Sequence, residues 1–224
     1  MGTQEVRPAW YALGPGRLRD WLTLLHPPYT LWHLSYVAVG AALAPHFHLE
    51  RMLWGIAAFF LAMGIAAHAL DELHGRPLRT RIPSPALVAL AAVALAGAVA
   101  IGVGAAAAWG WWLLAFVAAG AVLVPAYNLE LAFHTDSGFA LAWGAFPALT
   151  GYFVEAQTIR VEAVAAAGYA FALSLAQRAL STPARAARRE RATTAGTEPL
   201  ERALRLLTYT AVALAVALVA ARLR

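Results

Sequence analysis

Cysteine is absent from the 224 residues, and so is lysine. The first absence removes disulfides, thiolate metal sites, iron–sulfur clusters and every cysteine nucleophile. The second removes Schiff-base chemistry and a phosphate-loop lysine, because all 17 basic residues are arginine. Charge of either sign is scarce at 13%, and no polar stretch is long enough to fold by itself. With 61% hydrophobic residues and a mean hydropathy of +0.62, a water-soluble globule is excluded as well. What is left is one all-α membrane domain. Its pI near 10.1 reads as basic loops beside apolar spans, not as a nucleic-acid surface.

A membrane-crossing helix needs about 20 mostly apolar residues, and seven runs approach that length. They are Tyr29 to Pro45, Met52 to Leu70, Pro85 to Gly102, Ala107 to Ala126, Gly138 to Gln157, Val161 to Leu180 and Ala203 to Leu223. The third and fourth are separated only by glycine and alanine, so the turn between them is placed near Gly102 and Gly104. Residues 1–28 form an N-terminal segment and residues 29–224 a single transmembrane domain. The segment through Asp20 is polar and rich in glycine and proline, unlike a cleavable signal peptide. From Arg17 to Leu25 it has the pattern of an interfacial helix, with Leu18, Trp21, Leu22 and Leu25 on one side.

Arginine sets the orientation. Threading seven spans from a cytoplasmic N-terminus leaves only Arg51, Arg160, Arg222 and Arg224 on the far side, against the other 13 of the 17. The reading is an integral protein of a bacterial or archaeal cell membrane with its polar loops in the cytoplasm. Trp109, Trp111 and Trp112 fall at the outer interface, and Glu155 near it. The inner connections, from Asp71 to Pro85, from Asn128 to Ser137, and the long arginine-rich loop from Arg178 to Arg202, hold nearly all the chemistry.

Two of these connections carry matching patterns. On a helix, His68 lies one turn from Asp71 and Glu72, which brings imidazole and carboxylates to one side. If the fourth span continues past Asn128, Glu130 and His134 share a face in the same way, and two such helices offer His68, Asp71, Glu72, Glu130 and His134 as metal ligands. Solvated helix ends whose acids pair with Arg76, Arg79 or Arg81 would give the same spacing. The run Arg185 to Arg191 suits phosphate oxygens, and equally suits anionic lipid headgroups. His33 and Ser35 lie inside the first span and need polar partners there.

In order along the chain, these segments resemble the UbiA-type intramembrane prenyltransferases. The entry Leu25-His26-Pro27-Pro28-Tyr29-Thr30-Leu31 looks like the family's first span. His68 through Asp71 to Arg76-Pro77-Leu78 and Ile82-Pro83-Ser84 is similar to its first aspartate motif. Tyr127-Asn128 with Gly144, Pro147 and Gly151 resembles the central inner loop and the helix after it. The resemblance implies a helical bundle with a lipid-open cavity, in which an isoprenyl diphosphate is held through Mg by two acidic clusters. It differs in four places. His68 and Gly75 stand where further acids are expected, and Ser174, Gln177, Arg178 and Ser181 replace the second cluster. The loop lysine is missing, with Glu130 nearby, and seven spans stand against the usual nine.

The leading expectation is therefore a divergent prenyltransferase-like enzyme acting on an isoprenoid diphosphate at the cytoplasmic face. In it His68, Asp71 and Glu72 are catalytic and hold a divalent metal, with Mg ahead of Mn, Fe or Zn. Arg76, Tyr127, Asn128 and Arg178 bind substrate. Two alternatives stand beside it: a metal-dependent oxidoreductase or hydrolase using the five ligand candidates, and a non-catalytic lipid-binding or assembly subunit. A partner subunit or a homo-oligomer fits any of them.

Overall fold

The computed structural model describes residues 7–14, 16–132, 134–190 and 194–224, and among these there is helix and no strand. A short α1 (Arg17–Leu24) precedes seven long rods: α2 (Pro27–Leu43), α3 (Leu49–Leu73), α4 (Ser84–Trp109), α5 (Leu113–Asn128), α6 (residues 136–156), α7 (Val161–Arg189) and α8 (Thr194–Arg222). The rods follow the seven apolar runs in order. Four of them, α3, α4, α7 and α8 from Gly196, are long and apolar enough to cross a membrane, whereas α2 and α5 have only 17 and 16 residues. Their faces that look away from the bundle stay apolar, with Val93, Val122, Val164 and Val216 all exposed. Such faces suit hydrocarbon and would be costly in water.

Two boundaries differ from the sequence reading. The turn between α4 and α5 lies at Gly110, not near Gly102 and Gly104. Gly110 takes a φ of 154°, and a Cβ there would stand 2.3 Å from Gln157 Oε1, so only glycine fits. Gly102 instead marks a close approach of α4 to α5, since its Cβ would lie 2.5 Å from Val117. The alanines around it favour helix and carry α4 on to Trp109. Likewise, the expected loop from Arg178 to Arg202 is mostly helical. Its alanine and arginine content extends α7 to Arg189, and α8 starts at Thr194. Arg191 lies outside the described residues.

The rods form two groups that share α6 and α3, the first through the start of α3. In one, α2 packs between α6 and α8, with α7 against it, around Trp32, Tyr36, Met52 and Leu204. In the other, α3, α4, α5 and α6 surround Met63, Ala94, Val124, Tyr127 and Trp143. Contact between α2 and α6 is backbone to backbone. A Cβ on Gly40 would lie 2.0 Å from the Ala148 carbonyl oxygen, and one on Gly151 would lie 2.1 Å from that of Val37. Small residues allow this closeness, which maximises dispersion contacts where lipid offers no hydrophobic drive. Both α3 and α6 contain π-helical stretches, Phe60–Ala67 and Leu141–Ala145, where the helix widens.

At the end away from the N-terminus, Glu155 is buried. Its Oε2 accepts from the His48 backbone N–H and pairs with His48 Nδ1, both at 2.9 Å, and this pins the start of α3 to α6.

Replacing Gly40 or Gly151 with alanine is expected to cost about 1–3 kcal/mol, because α2 and α6 must separate. Gly104→Ala, with nothing within 4 Å of the added carbon, serves as the comparison and should be neutral or slightly stabilising. Thermal unfolding in detergent would decide this; equal melting of all three variants would refute the account.

Candidate functional site

The polar end of α3 divides its acids between two tasks. Glu72 is buried, and its carboxylate accepts from the Leu78 N–H at 2.9 Å, the Thr80 N–H at 2.8 Å and Thr80 Oγ1 at 2.9 Å. It holds the loop after α3 in shape. That loop needs holding, since Gly75, Arg76 and Arg79 all have left-handed φ, at 89°, 53° and 56°. Arg76 turns inward to the same loop, donating to the Ile82 carbonyl at 2.6 Å and to Ser84 Oγ at 2.7 Å. Asp20 of α1 accepts from the Arg81 N–H at 3.0 Å and closes the loop from the other side. Asp71 makes no such bond. It is half-buried, with Arg185, Glu72, His134 and Glu130 in electrostatic reach.

His68 follows directly on the π-helical stretch of α3. Its Nδ1 lies 3.1 Å from the Gly64 carbonyl, which can only accept, so Nδ1 carries a hydrogen and Nε2 is the nitrogen left to accept one. Its ring stacks on His26 with centroids 4.1 Å apart and planes 12° apart. His26 sits at the turn into α2 with φ 44°, and its Nδ1 is 2.7 Å from the Tyr11 hydroxyl. Burial, with His68 and Arg185 adding to it, pushes His26 well below its ordinary 6.5, so it stays neutral. Burial also raises Tyr11, which keeps its proton. His26 Nε2 is buried without a partner.

On α5 the helix stops at Asn128 instead of continuing to His134, and Glu130 adopts φ 55° in the turn. The turn, not a shared helix face, brings His134 Nε2 to 3.5 Å from Glu130, with His74 Nε2 3.7 Å from the other oxygen. The His134 ring stacks on Tyr127 at 4.8 Å. Asn128 is buried and donates back to the Val124 carbonyl at 2.7 Å.

The five side chains offered as metal ligands are thus split. Glu72 serves a loop, His68 and Asp71 stand at the end of α3, and Glu130 and His134 face His74. Among the described residues, no three His, Asp or Glu side chains gather as a metal would require. The inward stripe of α7, where a second acidic cluster is expected, has buried Ser174, Gln177 and Ser181. The residues present do not fit the Mg ion that the resemblance implies.

The same end of α7 carries arginines. Arg178 donates to Asp136 at 2.8 Å and lies over Phe139 at 5.3 Å. Two turns on, Arg185 is half-buried and has Tyr11, His26, Asp71 and Tyr127 within electrostatic reach. Among the described half-buried arginines, Arg51, Arg76, Arg178 and Arg188 donate hydrogen bonds and Arg205 lies over Trp10, while Arg185 does neither. The sequence reading held Arg185 only as one of a run, and missed Tyr11 and His26. Nothing local marks these three, although proline directly after His26 does mark a helix entry.

Residues 7–14 cover this end. Besides the Tyr11 bond, the Leu13 N–H donates to Thr23 Oγ1 at 3.0 Å, and Arg188 donates to the Arg7 carbonyl at 3.1 Å. Arg205 packs on Trp10 at 5.5 Å. Below the polar groups, α3, α4, α5 and α6 line an apolar pocket that is open on one side and has an interior space of about 100 Å³. Its walls include Trp54, Phe59, Phe116 and Phe146, and the hydroxyl of Thr150 is turned to the Phe146 carbonyl at 2.8 Å. Trp143 and Val124 line the chamber, and each also touches the polar end: Tyr127 stands edge-on to Trp143 at 5.6 Å, and Asn128 bonds Val124.

No family model matches the chain, and neither a curated protein nor a solved structure does.

Two outcomes follow from the bonding at this end. Glu72→Ala should destabilise the protein by about 1–3 kcal/mol, because it strips two buried N–H groups of their acceptor; an unchanged unfolding temperature would contradict that role. Because His26 is held below 6.5, the unfolded chain binds more protons as pH falls. Stability should therefore decline below pH 6.5, by at most about 1.4 kcal/mol per pH unit from this group. His26→Phe, which retains a ring against His68, should flatten that part of the melting profile, and an unaltered slope would exclude His26 as its source.

Proposed function

We propose that the protein is a membrane-embedded transferase of UbiA-like outline that acts on an isoprenoid diphosphate. One observation carries the reading: an apolar pocket open to the surroundings of the bundle, lined by α3, α4, α5 and α6, reaches Val124 and Trp143, which Asn128 and Tyr127 of the polar end contact. The order of the sequence segments that resemble the family supports it as well. All seven rods cross or enter the membrane in this reading, and the arginine asymmetry puts the polar end in the cytoplasm.

The chemistry needs an anion to leave and a proton to be taken up. As the allylic carbon–oxygen bond breaks, the bonding pair departs with the diphosphate. The acceptor's nucleophilic atom then bonds the carbon and loses its proton. His68 Nε2, the nitrogen left to accept a hydrogen, is the group suited to receive that proton, and Asp71 one turn on would stabilise the resulting imidazolium. The apolar chamber keeps water from the allylic cation. Tyr127 stands edge-on to Trp143, which lines the pocket, and its ring can stack against an acceptor bound at the polar end.

Purified protein in detergent, supplied with radiolabelled farnesyl or geranylgeranyl diphosphate and membrane lipid extract, tests the reading. Asp71→Asn should lower product formation roughly a hundredfold or more. Gly120→Leu should shift preference to the shorter chain, since Gly120 lines the chamber and a Cβ there stands 3.5 Å from Phe146. Saturable binding without any product would favour the non-catalytic lipid-binding alternative, which the engagement of Glu72 and Arg76 in loop structure supports. Absence of both binding and product would remove the isoprenoid reading.

A further inference from the structure

We propose that the polar end contains a metal-independent anion site, in which Arg185 and the Nε2–H of His26 take the phosphate oxygens directly. The inference rests on the isoprenoid diphosphate reading for the identity of the natural ligand, and on three observations for the site.

Arg185 is the first. It comes from the inward side of α7, is half-buried, and has neither a hydrogen bond nor an aromatic ring to occupy its guanidinium. Five donors drawn partly out of water without acceptors are costly, and phosphate is the acceptor whose geometry they match. The second is His26. It is 92% buried, and its Nε2 has no partner although its Nδ1 does. A phenol is a better donor to imidazole nitrogen than an imidazole N–H is to a phenol oxygen. Tyr11 therefore donates its hydrogen bond to Nδ1 and keeps its proton, and the hydrogen of the neutral ring sits on Nε2 as a donor with nowhere to go. A donor and a cation together call for an anion. Third, the acids that would recruit a metal instead are missing on the facing stripe of α7, where Ser174, Gln177 and Ser181 stand.

The stacked histidines then have opposite duties. His26 offers a proton toward the leaving anion, while His68, with its proton tied to the Gly64 carbonyl, offers a lone pair. Their separate hydrogen-bond partners, Tyr11 and Gly64, give two identical side chains different polarity at a ring separation of 4.1 Å. Tyr11 acts only through His26 and is a positioning residue.

The experiment measures binding of inorganic diphosphate to the full chain in neutral detergent by calorimetry, in excess chelator and again with Mg. Wild-type protein should bind equally in both. Arg185→Gln should weaken binding roughly ten- to a hundredfold, the effect of one or two charge-assisted hydrogen bonds. Arg185→Lys should fall between, and Arg189→Gln, an exposed neighbour on α7, should match wild type. If Arg185→Gln fails to fold, Arg185→Lys and Tyr11→Phe carry the test, the latter by freeing the His26 tautomer and weakening binding several-fold. Binding that requires Mg, or that survives in Arg185→Gln, overturns the proposal. So does an Arg185 effect seen only with phosphatidylglycerol nanodiscs, which would make this arginine a lipid-headgroup anchor. Farnesyl diphosphate separates the two claims. If it binds no tighter than inorganic diphosphate, the anion site stands and the isoprenoid reading falls; if it is turned over only with Mg and without regard to Arg185, the reverse holds.

Discussion

Everything in this bundle hangs on the backbone contact between α2 and α6. Gly40 and Gly151 let the two helices meet carbonyl to Cα, with no side chain between. That contact fixes the depth of α6 relative to α2, and hence the height at which Trp143 closes the chamber on one side and His33 meets Phe139 on the other. Because α6 belongs to both helix groups, a change in its spacing is felt on both sides at once. In lipid, where apolar surface gains little by being hidden from more apolar surface, such close approach is a principal source of cohesion.

The polar end follows a second constraint: buried polar groups must be satisfied by someone. Glu72 and Arg76 are absorbed by the loop they belong to, and Arg178 by Asp136. Once these are assigned, the residue types that looked alike along the chain are no longer equivalent. Asp71 and Glu72 are neighbours in sequence, yet one is enclosed by two backbone N–H groups and a hydroxyl while the other remains available. The same sorting separates Arg178 from Arg185, two turns apart on one helix.

This sorting also explains what could be read in advance. The seven rods were visible because apolar length is a local property. Gly102 misled for a physical reason: a glycine that permits a turn also permits a close helix contact, and only the partner Val117 tells which. The extension of α7 was underestimated because arginine signals a loop side by charge and a helix by propensity, and here both are true. Glu130 and His134 do come together, but through a left-handed turn that spacing on a helix does not describe. His26, Tyr11 and Arg185 were illegible, since their significance lies in which atoms lack partners, and that depends on four separate parts of the chain.

The cover formed by residues 7–14 has a consequence for the order of assembly. Its residues reach Arg188 near the end of α7 and Arg205 on α8, so a segment that precedes α1 finds its contacts on helices that follow much later in the chain. Until α8 is in place, Trp10 has no guanidinium above it and Tyr11 is held only by His26 and the rings of Tyr29 and Trp10. During biogenesis the histidine pair would stand open to the aqueous side, and the low-dielectric setting that keeps His26 neutral would exist only in the finished bundle. The chemistry of the polar end is thus withheld until α7 and α8 are in place.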